Sequence, residues 1–121
     1  MKYIFFFWIA LFPIFGFSQT TDQQLAQYYY SNEEYDKALG YYEKFYDKDV
    51  SKFNLDRYVD CLIQTGDDKS AEKTLKKAVD SKKENQEYSI ALGSFYEERN
   101  EGEKAAKIYE RLISELRPNS G

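Results

Sequence analysis

A pattern of apolar and small residues occurs three times along this 121-residue chain, at spacings of 34 and 33 residues. Its six positions in the last copy are Leu92, Gly93, Tyr96, Ala105, Tyr109 and Leu112. The middle copy has Tyr58, Val59, Leu62, Ala71, Leu75 and Ala78, and the first has Leu25, Ala26, Tyr29, Ala38, Tyr42 and Phe45. Because a constant period of this length is typical of stacked repeats that bury a shared core, the chain is predicted to be a short repeat array.

Each copy predicts two helices joined by a turn. Its first three positions are spaced i, i+1, i+4 and its last three i, i+4, i+7, so each set lies on one face of a helix. The turns are marked by residues that tolerate a left-handed backbone: Asn32, Gly66 and Asn100. We expect Gly93 and Ala105 to let two helices approach closely, with Tyr96 and Tyr109 filling the space around them. The first copy is expected to have one residue fewer after its turn, or a shifted boundary.

The six positions resemble the tetratricopeptide repeat, a helix–turn–helix unit of about 34 residues. The resemblance implies an all-α fold in which antiparallel helix pairs stack as a short right-handed α-solenoid. We predict such a domain over residues 19–121, with repeats at about 19–51, 52–85 and 86–119. In that family the first helices line a concave groove that binds peptides or protein subunits.

Residues 1–18 have a different composition from the rest of the chain. One lysine precedes about fifteen apolar residues, an arrangement that resembles a secretory signal peptide. Gly16 and Ser18 supply the small residues that precede a cleavage site, so we predict a mature chain beginning at Gln19 and exported to a bacterial periplasm or secreted. The alternative is an uncleaved membrane anchor, although the run is shorter than the ~20 residues of a membrane span.

Composition argues against several classes of function. With 17 basic and 21 acidic residues the formal net charge is −4, whereas nucleic-acid binders usually present a basic surface. The chain has no histidine, so the commonest metal ligand and general base are both missing. No glycine-rich phosphate loop or metalloprotease motif occurs. We therefore predict a non-enzymatic protein with no cofactor and no metal, whose partner is a protein or peptide.

Candidate groove residues follow from counting outward from the inward positions of the first helices. They form three stripes spaced i, i+4, i+7, namely Gln23, Gln27 and Tyr30; Asp56, Asp60 and Ile63; and Ile90, Ser94 and Glu97. Some family members clamp a peptide carboxylate with basic residues here, and the matching positions are Gln23, Gln27, Arg57, Glu87 and Ala91. Only Arg57 is basic, so that binding mode is not supported. The alternative for the whole surface is a plain solvated face.

Two functions stay open. The chain is either an exported interaction scaffold that binds a peptide or subunit in the groove, or a structural, self-associating N-terminal module of a larger envelope protein without a groove ligand. The second depends on Ile108, Ile113 and Leu116, which are apolar beyond the repeat core of the last helix. Left uncovered, they would form an interaction surface.

Three further features have ordinary interpretations. The lysine-rich part of the middle copy is expected to be a solvated face, because acidic residues interleave with Lys73, Lys76 and Lys77. Cys61 is expected to be a packed thiol, with an intermolecular disulfide as the alternative. Gly40 lies inside a predicted helix, where it costs about 1 kcal/mol relative to alanine, and close backbone packing would account for it.

Overall fold

A computed structural model describes residues 21–81 and 85–117 of the chain. Within these ranges there are six helices and no strand: α1 Asp22–Ser31, α2 Tyr35–Lys48, α3 Lys52–Gln64, α4 Asp68–Ser81, α5 Gln86–Glu98 and α6 Gly102–Leu116. Each helix packs against the next, giving the helix pairs α1–α2, α3–α4 and α5–α6. The predicted all-α fold of stacked helix pairs is confirmed. The predicted signal peptide and its cleavage site lie outside the described residues.

Four helices begin at a side chain that accepts a hydrogen bond from a free backbone N–H of the first turn. The caps are Thr21, Ser51, Asp67 and Asn85. At Thr21 the cap is reciprocal, because Gln24 also accepts from the Thr21 N–H at 2.9 Å. Each such cap stabilises its helix by about 1 kcal/mol. Local polar chemistry therefore sets where these helices begin.

The turn inside each of the three pairs contains one residue with a left-handed backbone conformation. It is Gly66 in the second pair and Asn100 in the third, with φ of 89° and 59°, as predicted. In the first pair it is Glu33, with φ 59°, whereas Asn32 has φ −90°. The prediction for Asn32 was therefore wrong by one residue. The reason is that the left-handed residue has a constant position in the sequence of each repeat. It comes eight residues after the first core position, which is Leu25, Tyr58 or Leu92.

The shorter spacing of the first copy arises between the helix pairs. Three residues connect α2 to α3, whereas four connect α4 to α5. Within each pair the left-handed residue precedes the buried alanine by five positions, at Ala38, Ala71 and Ala105. The expected shortening of the first copy after its turn therefore lies in the connection to the next pair, because all three helix–turn–helix units have the same internal spacing.

The three repeated alanines all lie in the buried core of the fold. Ala38 and Ala71 are completely buried, and Ala105 is 2% exposed. One core cluster extends from α3 to α6, and a smaller one joins α1 and α2 to Cys61. Gly40, by contrast, is exposed, and a Cβ there would meet no atom within 4 Å. Close backbone packing therefore does not account for Gly40, and nothing in the structure explains it.

The last helix leaves two apolar residues largely uncovered among those described. Ile113 is 55% exposed and Leu116 is 53% exposed. Ile108 differs from the prediction, because it is half-buried against the main core and faces a small cavity lined by Val79 of α4 and Ser89 of α5. It contributes to packing between the second and third pairs, so only Ile113 and Leu116 remain as candidates for an open surface.

Candidate functional site

The ten candidate residues all lie on α1, α3 and α5, the first helices of the three pairs, but they differ in exposure. Those exposed to solvent are Gln23, Gln27, Asp56, Ile90 and Glu97. Those half-buried are Tyr30, Arg57, Asp60, Ile63 and Ser94. We call these ten residues the first-helix face. It combines half-buried side chains with exposed ones.

A hydrogen bond across the first two pairs organises the middle of the first-helix face. The Tyr30 hydroxyl, on α1, donates to the Asp60 carboxylate, on α3. Burial raises the pKa of Tyr30 well above its usual value, and the neighbouring Asp60 carboxylate raises it further. The phenol therefore stays protonated and donating at physiological pH. Gln64 donates a second, longer bond of 3.4 Å to Asp60.

Arg57 lies beside this hydrogen bond, surrounded by aromatic rings. The central carbon of its guanidinium is 3.9 Å from the centre of the Tyr30 ring, 5.1 Å from that of Phe53 and 6.0 Å from that of Tyr42. Within the described residues Arg57 forms no ion pair with a carboxylate. A guanidinium held against rings keeps a planar set of N–H donors that suits carboxylates.

Sequence reasoning identified Arg57 as the one basic groove position but missed its aromatic neighbours. Phe53 was not among the candidates, although it is 61% exposed beside the guanidinium. The spacing of Phe53 and Arg57, four residues apart on one helix, would have indicated their contact. The approach of Tyr30 could not be inferred in this way, because it comes from another helix.

The remaining candidates do not join this cluster. Asp56 pairs with Lys52 at 2.8 Å on the surface of α3, so its charge is locally balanced. Ile63 packs against the core. Ile90, 48% exposed on α5, is the most accessible apolar candidate.

Two searches of the described ranges bear on other classes of site. Across residues 21–81 and 85–117, no three His, Cys, Asp or Glu side chains are grouped so that they could hold a metal ion. In the same ranges no helix has the length and apolar character needed to cross a membrane.

Comparison with known protein families finds a match over the last helix pair. Residues 89–121 match the family model of the tetratricopeptide repeat, a match that starts in α5 and continues through α6. None of the curated proteins compared with the chain matches it. Repeats of this family are typically non-catalytic modules for binding other proteins. The third helix pair is therefore similar to a tetratricopeptide repeat, and the chain is an all-α protein of stacked, tetratricopeptide-like helix pairs.

Proposed function

We propose that this protein is an exported interaction scaffold, which binds an extended peptide or a subunit of a partner protein on its first-helix face. Binding of this kind needs side chains that are held in place before the partner arrives, together with an accessible apolar contact. The first-helix face has both features. Export is the part of the proposal that depends on the N-terminal sequence alone.

The observation that carries the proposal is the environment of Arg57. Its guanidinium is held over the Tyr30 ring, and Tyr30 is itself anchored by its hydrogen bond to Asp60. Because the side chain is already ordered, a partner carboxylate or backbone carbonyl would meet positioned donors at a reduced entropy cost. Phe53 and Ile90 expose apolar surface on the same helices, α3 and α5.

A capture experiment with two matched double variants tests this use of the face. Ile90→Lys with Glu97→Lys changes two exposed residues of the first-helix face. Ile113→Lys with Glu110→Lys makes the same exchange of residue types on exposed positions of α6. Each protein would be recovered from the producing cell with crosslinked partners, which are identified by mass spectrometry. We expect the first variant to lose a partner that the second retains.

The result contradicts the proposal if both variants retain the same partners as the unaltered protein. It also contradicts the proposal if partners are lost only with the α6 variant. Circular dichroism of both variants checks that the helices are retained. An Arg57→Gln variant then tests the guanidinium, and its effect should exceed that of Lys52→Gln on the same helix.

Export is tested separately at the N-terminus. We expect the recovered protein to begin at Gln19, because Gly16 and Ser18 precede a polar segment. Mass analysis of the N-terminal peptide checks this. Detection of an intact peptide from Met1 to Asp22 in the membrane fraction would contradict cleavage and indicate that the segment anchors the protein in the membrane.

The second candidate function is a structural, self-associating module that has no ligand on the first-helix face. The exposure of Ile113 and Leu116 favours it, because exposed apolar residues one helical turn apart can form a contact with a partner. In the capture experiment, this function predicts that the α6 variant alone changes the assembly.

A further inference from the structure

A cleft lies away from the first-helix face, between the second helices of the first two pairs, α2 and α4. Its volume is about 580 Å³, within the range of ligand-binding clefts. The residues that line it are Tyr46, Asp47, Val50, Tyr58, Ser70, Lys73, Thr74, Lys77 and Ser81. The cleft is independent of the residues used in the proposed function.

The wall formed by α4 is basic and rich in hydroxyl groups. Ser70, Lys73, Thr74, Lys77 and Ser81 follow one another at helical spacing, so they share one side of α4. Both lysines are exposed, and neither forms an ion pair within the part of the chain that the structure describes. Their neighbour on the same helix, Lys76, instead faces Glu72 at 3.9 Å. Two cations are thus presented to one cleft in a chain whose net charge is negative.

The floor and the opposite wall have a different character. The rings of Tyr46 and Tyr58 pack at 5.9 Å between centroids, and burial raises the pKa of both hydroxyls. The α2 side presents Val50, which is 40% exposed, together with the carboxylate of Asp47. An occupant therefore meets positive charge on one side and an apolar, weakly negative surface on the other.

The dimensions suit an extended peptide. From Ser70 to Ser81 the α4 wall is about 16 Å long, since a helix rises about 1.5 Å per residue. That length accommodates about five residues of an extended strand at about 3.3 Å each. Lys73 and Lys77, one helical turn apart, are separated by about 6 Å. Side chains on one side of an extended strand repeat at nearly the same distance, every second residue.

We propose that the cleft between α2 and α4 binds an extended segment of a partner protein in which acidic and apolar residues alternate. The acidic side chains face Lys73 and Lys77, and the apolar ones face Val50 and Tyr46. Asp47 on the apolar wall disfavours a strand turned the other way, because its carboxylate would then face the acidic side chains.

Fluorescence anisotropy with short labelled peptides tests the proposal on the protein purified from the producing cell. The probe peptide has three Glu-Val repeats. One comparison peptide has the same composition with three glutamates followed by three valines, and another has lysine in place of glutamate. We expect the alternating acidic peptide to bind best, and its binding to weaken as salt is added. The proposal is overturned if the block peptide or the lysine peptide binds equally well, or if the alternating peptide does not bind.

Charge variants separate this cleft from general electrostatic attraction. Lys73→Glu with Lys77→Glu should weaken binding of the alternating peptide at least about tenfold. The control, Lys44→Glu with Lys107→Glu, makes the same change of net charge on exposed residues outside the cleft and should alter binding less than about twofold. Equal losses in the two variants would overturn the proposal. Lys73→Gln with Lys77→Gln, which keeps good helix formers, replaces the first variant if that one does not fold.

Discussion

The ring of Tyr109, on α6, lies directly against the backbone of Gly93, on α5. A Cβ added at position 93 would be 2.5 Å from Cζ of that ring and 2.8 Å from the hydroxyl oxygen, which is closer than atoms can approach. The contact joins the two helices of the third pair. It makes a glycine necessary for this ring position, and leads to a prediction that opposes ordinary helix propensity.

Alanine at position 93 should destabilise the protein by about 1 kcal/mol, because the cost of moving the Tyr109 ring exceeds the gain in helix propensity. Gly40→Ala is the matched control. It lies inside α2, where a Cβ meets no atom, so it should stabilise the protein by up to about 1 kcal/mol. Urea unfolding followed by circular dichroism measures both changes.

Removing the ring tests this explanation. In a Tyr109→Ala background, Gly93→Ala should become neutral or stabilising, since only the helix-propensity term remains. A Gly93→Ala change that destabilises both backgrounds equally would show that the ring is not the cause.

Leucine at Ala105 should overpack the third pair and cost about 1–3 kcal/mol. Ala105 is 2% exposed, whereas the next residue, Ala106, is exposed on the same helix. Ala106→Leu should therefore leave the urea midpoint almost unchanged. The same midpoint for both variants would contradict the assigned packing.

The ion pair between Asp68 and Arg99 should make stability depend on acid pH. Arg99 donates to Asp68 at 2.9 Å, and this bond lowers the pKa of the Asp68 carboxyl. Because the folded-state pKa is the lower one, the contribution is present above the unfolded value of about 3.9 and is lost as pH falls through the folded value. We expect Asp68→Asn to be slightly less stable than the unaltered protein at pH 6, and the difference to disappear near pH 2.

Asp36→Asn is the control for helix-terminus effects, since Asp36 also lies in a first helical turn. Its effect measures how much a carboxylate in a first helical turn contributes to stability without a contact to Arg99. An equal loss of stability at pH 6 in the two variants would assign the effect to the helix terminus. Thermal unfolding between pH 2 and pH 7 measures both.

Cys61 should resist thiol reagents in the folded protein. It is completely buried, and burial raises the pKa of its thiol to about 11. At pH 8 the group is therefore protonated as well as shielded, so modification requires local opening. We expect slow labelling at pH 8 and complete labelling in guanidinium chloride. Rapid labelling without denaturant, or a dimer linked through Cys61, would contradict this packing and support the disulfide alternative.

The exposed residues of α6 should promote self-association of the 19–121 fragment. Sedimentation across a concentration series should show a shift to larger species, which Ile113→Asp with Leu116→Asp removes. Phe53→Asp with Ile90→Asp, also at exposed apolar positions, is the control. A fragment that stays monomeric, and whose melting temperature does not rise when a polar capping helix is appended, would contradict the prediction.

The spacing of residues along the chain was enough to predict the helix pairs and their register. The burial of Ala38, Ala71 and Ala105 could be predicted because a small residue at a constant position of a repeat indicates a position facing the core. Gly66 and Asn100 identified their turns for a similar local reason, since few residues adopt a left-handed backbone. These inferences depend on residues close together in the chain, where helical geometry converts spacing into position.

Contacts between side chains of different helices could not be predicted from spacing, and they follow from how the helices pack together. Tyr30 reaches Asp60 and Arg57 from another helix pair, and Ile108 is half-buried against the main core. The sequence did not show that Lys73 and Lys77 line a cleft, because the cleft forms only where α2 lies beside α4. The physical reason is that helical periodicity specifies the direction of a side chain around its own axis. What that side chain meets depends on the crossing and spacing of helices, which result from packing the whole core.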